Sequence, residues 1–285
     1  MPNRKLITFA CFSVLLFNTL LGYATTVIAI ITANGIVIGS DTKMIKKAGD
    51  STPLETGVEE RKIVLVADNR ILIASSGFNK GLGYDFPNWI DGISKRLPKN
   101  ISVKDFVAFL EKESAAQFKD FDDLVLKTGL LTPAPVELCR PFIQYMVLGY
   151  DGGKPWVYLV QFYIDWDRGH LVGPKTSIMH PTQRSAADVG MYPIGQVMAT
   201  VDIANGNSYA HKQAVLHCPK ALAQFFTDGN VNKIEAVALI TVLIHVQEEV
   251  NPSEVGGLGR FFYLPKIGGG AEIGPRRSPP LGKPD

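Results

Sequence analysis

The sequence predicts an α+β fold in which antiparallel sheets stack on one another and helices pack outside them. Three observations predict it. β-Branched strand runs come in close pairs joined by short turns, the pattern of antiparallel hairpins. Segments with 3.6-residue periodicity come in groups instead of alternating singly with strands, so a parallel βαβ array does not fit. Neither an internal repeat nor a Pro/Gly-rich linker divides the 285 residues, whose length suits one large domain.

Each element follows from local chemistry. Residues 1–24 read as a leader: Arg4 and Lys5 make a basic start, Leu6 to Leu21 an apolar stretch, and Gly22-Tyr23-Ala24 a small-x-small ending. That is the layout of a secretory signal peptide cut after Ala24. Read instead as an uncleaved anchor, the apolar stretch falls short of the roughly 20 residues a spanning helix needs. Thr26–Thr32 and Ile36–Ser40 are strands around an Ala33-Asn34-Gly35 turn. A polar stretch from Lys43 to Glu60 follows, then a second hairpin, Lys62–Val66 and Arg70–Ala74, across Ala67-Asp68-Asn69. Val103, Phe106, Val107, Leu110 and Ala115 fall on one face of a helix that Ser102 caps. Residues 121–141, broken by three prolines, are irregular. Ile143–Tyr150 and Trp156–Tyr163 form a third hairpin across Asp151-Gly152-Gly153. The reading leaves 166–193 as loop, places helices over about 209–227 and 233–249, and a last short strand at Phe261–Leu264. From Gly268 the chain is too rich in Gly and Pro to pack and reads as a disordered tail. The domain boundaries are thus 1–24, 25–267 and 268–285.

Charge and cysteine content exclude several functions. Lys and Arg number 29 and Asp and Glu 27; the leader holds two of the former and none of the latter, so residues 25–285 balance. No basic field remains to attract nucleic acid or, once the leader is gone, a membrane. Cys139 and Cys218 are the two cysteines beyond the leader; one disulfide or two buried thiols fit equally. His170, His180, His211, His217 and His245 lack the pairing of a helical zinc site, and the cysteines lack CxxC spacing. Gly256-Gly257-Leu258-Gly259 lacks the Lys and Ser/Thr of a phosphate loop. There is no Gly-x-Ser-x-Gly elbow. The expectation is a protein without cofactor or metal.

A cut after Ala24 has a chemical consequence, because it leaves Thr25 with a free α-amine. A threonine hydroxyl needs a base to become a nucleophile. An α-amine, with an ordinary pKa of about 7.7–8.0, can serve as that base near neutral pH. The plainer reading is that Thr25 is merely where the leader ends.

The residues that follow tip the balance. Thr25-Thr26-Val27-Ile28, Asn34-Gly35-Ile36-Val37-Ile38-Gly39-Ser40-Asp41, Arg61-Lys62-Ile63-Val64 and Ala74-Ser75-Ser76-Gly77 succeed one another at a spacing that resembles the opening of the proteasome β-subunit family and its bacterial two-component relative, the N-terminal-threonine (Ntn) hydrolases. The match from Thr25 to Asp41 needs no gap; reaching Lys62 takes a longer loop than the family has. The resemblance implies a four-layer αββα sandwich and a threonine-type peptidase or amidohydrolase acting on peptides or other small amides through an ester on Thr25. It makes Thr25 nucleophile and base, places Lys62 beside the amine, pairs Asp41 with Lys62, and gives the Gly77 N–H to the oxyanion. Members assemble into rings, so the resemblance also implies self-association.

The later motifs depart from the family. Its Gly-Ser-Gly turn is met by Ile194-Gly195-Gln196-Val197, and its aspartate, serine and glycine after the penultimate helix by the stretch from Glu248 to Gly257. Glu249 and Ser253 are the nearest replacements for the aspartate and serine, at a different spacing, and Pro252 carries no such group. Two alternatives therefore stand beside the secreted or periplasmic hydrolase: an inactive binding or structural protein of the same fold, and a domain anchored by residues 6–24.

Overall fold

The computed structural model describes residues 26–43, 61–81, 83–119, 141–165, 170–179, 190–195, 198–227, 231–250, 252, 255–257 and 259–276. The leader, Thr25, the whole of the polar stretch after Lys43, Cys139, Gln196, Ser253 and residues 277–285 lie outside them.

Two five-stranded sheets are built wholly from antiparallel pairs. The first contains β1 (Thr26–Thr32), β2 (Gly35–Ser40), β10 (Gly190–Gly195), β11 (Gly259–Pro265) and β12 (Ala271–Arg276), in the order β10-β1-β2-β11-β12. The second contains β3 (Ile63–Val66), β4 (Ile71–Gly77), β7 (Pro141–Asp151), β8 (Lys154–Asp165) and β9 (His170–Ile178), joined in chain order. The short strands β5 (Lys80–Gly81) and β6 (Tyr84–Asp85) pair with each other. The helices are α1 (Phe86–Ser94), α2 (Val103–Phe118), α3 (Met198–Asp202), α4 (Tyr209–His217), α5 (Pro219–Thr227) and α6 (Lys233–Val250).

Side-chain alternation along the strands explains how these elements meet. Val27, Ala29 and Ile31 of β1 share one apolar cluster with Ile63, Leu72, Ala74, Met146 and Leu148 of the second sheet. Ile28 and Ile30 turn the other way, into a cluster with Ala214, Leu222, Ile240 and Leu243 of α4 to α6. All seven residues of β1 are therefore buried, and a strand covered on both faces reads as one apolar run. On the second sheet Val64, Ile71, Ile73 and Val147 join Phe86, Ile90, Phe106 and Leu110 of α1 and α2.

The hairpins expected at the start fold as hairpins, but into different sheets: β1–β2 belongs to the first and β3–β4 to the second. The β3–β4 turn passes through Ala67, Asp68 and Asn69, all with positive φ. Ser102 caps α2 by accepting the N–H of Asp105, as its position predicts. Ala115 is not on the buried face, which continues through Ser114 and Phe118.

Four expectations need correction. Residues 271–276, assigned by their Gly/Pro content to a tail, form β12 along β11. The region 166–193, read as loop, supplies β9 and the start of β10. The helix over 209–227 is two helices, broken at Cys218 before Pro219, whose ring has no N–H to continue the first. Helix α1 went unpredicted; it starts at Asp85, which accepts the Asn88 N–H, with Pro87 in the first turn.

Candidate active site

Two of the residues singled out from the sequence, Asp41 and Lys62, meet where β1 begins. Asp41 follows β2 directly and Lys62 directly precedes β3, so one comes from each sheet. Asp41 is held to β1 by two bonds. Its N–H donates to the Thr26 carbonyl at 3.1 Å, and its Oδ1 accepts the Thr26 N–H at 2.6 Å. That amide joins Thr26 to Thr25, which makes Asp41 an immediate neighbour of the peptide bond leaving the expected terminus. The other carboxylate oxygen, Oδ2, accepts from Lys62 Nζ at 3.0 Å, and Nζ also donates to the Lys43 carbonyl at 2.9 Å.

The pair is wholly enclosed: both side chains have 0% exposure. Burial of this kind is costly, and it is tolerated only where the charges meet each other and their remaining valences are filled. Burial pushes the Asp41 carboxyl above its ordinary pKa, against the pull of the Lys62 ammonium and the N–H groups of Thr26 and Gly256.

Gly77 ends β4 close by. The Ser75 N–H donates to the Lys62 carbonyl at 2.9 Å, and two residues on, strand alternation turns the Gly77 N–H to the same side. Its φ of +97° and the nearness of the Phe142 carbonyl oxygen, which a Cβ would overlap, both require glycine.

Two supports of the site were not legible beforehand. The Gly256 carbonyl accepts the N–H groups of Thr42 (3.2 Å) and Lys43 (2.9 Å), while the Gly256 N–H bonds Asp41. The Lys43 ammonium reaches the Pro252 carbonyl. A Cβ on Gly256 would meet Glu248 Oε1 at 2.6 Å, and one on Gly257 would meet Thr42 Oγ1 at 2.6 Å. The two glycines read as a simple turn from sequence; in the fold they clamp the segment that carries Asp41. On the opposite flank of β1, Gly195 is the register partner of Thr26, and its N–H donates to Gln144 Oε1 at 3.3 Å. Gly195 has φ +82°, another left-handed position.

The sequence-predicted residues thus divide. Asp41 and Lys62 touch, and the strand ending at Gly77 is bonded beside Lys62. Thr25, Gln196 and Ser253 lie outside the described residues. Glu249, considered as a replacement for the family's aspartate, is engaged elsewhere: it accepts from the Tyr209 hydroxyl and lies 3.7 Å from His245 Nε2. Cys218 is a free, buried thiol. Among the described residues no group of three or more His, Cys, Asp or Glu side chains is arranged to hold a metal, and no helix is long and apolar enough to cross a membrane.

No family model matches the chain. No curated protein matches it either. Among solved structures it is similar to Anbu (ancestral beta-subunit) from Yersinia bercovieri, with 12% identity, a TM-score of 0.44, and coverage of 87% of this chain and 86% of that one.

Proposed function

We propose that this chain is a secreted or periplasmic hydrolase of the N-terminal-threonine kind, cleaving amide bonds in peptides or other small amides through an ester on Thr25. The observation that carries the reading is the enclosed Asp41–Lys62 pair fastened to the Thr26 amide, one residue from the expected terminus. A buried lysine held by an aspartate beside an N-terminal threonine has a chemical use: its positive charge lowers the pKa of the neighbouring α-amine and keeps it an available base. We read the sheets and helix groups as the four-layer αββα sandwich of that class, and self-association as part of the same reading.

In the proposed reaction the α-amine takes the Thr25 hydroxyl proton as Oγ1 bonds to the amide carbonyl carbon. The developing oxyanion accepts from the Gly77 N–H. The carbon–nitrogen bond breaks as the α-ammonium returns the proton to the departing amine, leaving an ester on Oγ1. Water, deprotonated by the α-amine, attacks that ester, and a carboxylate leaves with Thr25 restored. Asp41 positions Lys62 throughout. No part of this scheme calls on a cofactor, on nucleic acid, or on a membrane once the leader is removed.

The engagement of Glu249 with Tyr209 and His245 favours a second reading, a non-catalytic protein of the same fold. One experiment separates them. Protein released from a fusion so that it begins at Thr25 is treated with a β-lactone electrophile and mapped by peptide mass spectrometry. Acylation of Thr25, lost in Thr25→Ala, supports the hydrolase; an unmodified Thr25 in folded protein supports the binding protein. Terminal sequencing of protein from its native host tests the cut itself, and a chain that begins anywhere but Thr25 removes the base.

A further inference from the structure

The face of β7 that looks toward the first sheet is apolar over most of its length, with Met146 and Leu148 at 0% exposure. Two residues before Met146, on the same alternating face, stands Gln144. A partly buried amide in that row costs stability unless it bonds, and Gln144 Oε1 does so, accepting the N–H of Gly195 from the opposite sheet at 3.3 Å. Gly195 is the register partner of Thr26, and Asp41 is bonded to Thr26 on the other side. The start of β1 is therefore bracketed by two ties that cross between the sheets: Asp41–Lys62 on the β2 flank and Gly195–Gln144 on the β10 flank.

We propose that Gln144 is a positioning residue of the Thr25 site: it holds the end of β10 against the start of β1, so that the terminal residue is fixed from both flanks. The proposal rests on the reading of Thr25 as nucleophile. A nucleophile gains from fixation because a displacement of about 1 Å can cost on the order of a hundredfold in rate. Asp41–Lys62 ties the β2 flank of the strand end, and Gly195–Gln144 ties the β10 flank. Gln144 acts through the Gly195 amide, which it holds from the opposite sheet.

The test compares Gln144→Leu, which keeps the shape and removes the acceptor, with Gln144→Glu, which keeps an acceptor. Both are made in protein beginning at Thr25. Two quantities are read: hydrogen exchange at the Gly195 amide by NMR, and the rate and pH profile of Thr25 acylation by the β-lactone. The expected result for Gln144→Leu is Gly195 exchange at least about tenfold faster and acylation about ten- to a hundredfold slower, with an altered acid limb in the pH profile. Gln144→Glu restores protection and rate. Wild-type exchange and rate in Gln144→Leu overturn the proposal, as does a Gln144→Glu variant no better than Gln144→Leu, since packing and not the acceptor would then matter. If wild-type Thr25 is never acylated, the hydrolase reading fails separately. The Gly195 exchange then decides the positional claim alone: loss of protection in Gln144→Leu and its return in Gln144→Glu uphold it, and no change overturns it.

Discussion

Two ion pairs in this molecule look alike by distance and differ in everything else. Lys62–Asp41 spans 3.0 Å with both side chains at 0% exposure, while Arg96–Glu113 on the α1–α2 side spans 2.6 Å with 55% and 19% exposure. The outer pair is bidentate, each guanidinium nitrogen taking one carboxylate oxygen. Water competes for it, salt screens it, and two long side chains lose freedom to form it. The inner pair has no water to fall back on. Its partners are worth little as a net gain over apolar residues, yet each is indispensable to the other. A pair of that kind is costly to keep for stability alone, which fits its use as a charge delivered to a fixed place.

The largest test of the contrast is to break the inner pair. Lys62→Met leaves a buried carboxylate unpaired, and urea unfolding is expected to show a loss of about 3–5 kcal/mol. The double change Asp41→Asn with Lys62→Met recovers most of that loss while Thr25 acylation stays abolished. If Lys62→Met is neutral, the pair is not sealed as described. Next in size is Gly77→Ala, at the same end of the sheets but without a change of charge. Forcing a side chain to φ +97° beside the Phe142 carbonyl is expected to cost about 1–3 kcal/mol by the same assay.

Cys218 sharpens the comparison from another side, as a buried ionisable group shifted by burial alone. Its thiol is pushed up from 9.0 to about 11. The folded chain holds this proton more tightly than the unfolded one, so its contribution is complete below pH 9.0 and is lost as pH rises through about 11. Urea midpoints of the wild type should fall over that interval more steeply than those of Cys218→Ala; parallel curves would contradict the assignment. The smallest effect is expected at the outer pair. A double-mutant cycle on Arg96→Ala and Glu113→Ala should give a coupling below about 1 kcal/mol that shrinks further in 1 M salt.

What the sequence disclosed follows from which forces leave a mark on side chains. β1 and β2 were legible because both faces are buried and both are apolar. The edge strand β9 was not, because most of Gly173–Ile178 is exposed and carries no alternation. β12 hid for the same reason: Gly274 and Pro275 suit an edge, where half the backbone groups need no partner. At the site, Asp41, Lys62 and Gly77 were legible only through the spacing of the motifs that resemble the family; singly, a strand-end aspartate, an edge lysine and a turn glycine carry no such message. Gly256 acts through its backbone N–H and carbonyl, which every residue except proline has, so only its fold reveals it. Gln144 was invisible for a related reason: a glutamine on a strand means nothing until the strand facing it is known.

The order of strands carries one more consequence. The second sheet is drawn from one continuous stretch, residues 63–178, with its strands paired in chain order, and its widest connection, from β4 to β7, holds α1 and α2. The first sheet joins β1 and β2 from the beginning of the domain to β10, β11 and β12 from its far end, and the Gly256 clamp on Thr42 and Lys43 comes from there too. Contacts so distant in sequence close late, after the cost of the long loop has been met. A chain still emerging from the ribosome holds Asp41 and Lys62 but not the strands and turn that fix them. Topology thereby sets an order of assembly: the clamp on the segment that carries Asp41 closes only when the last strands have arrived.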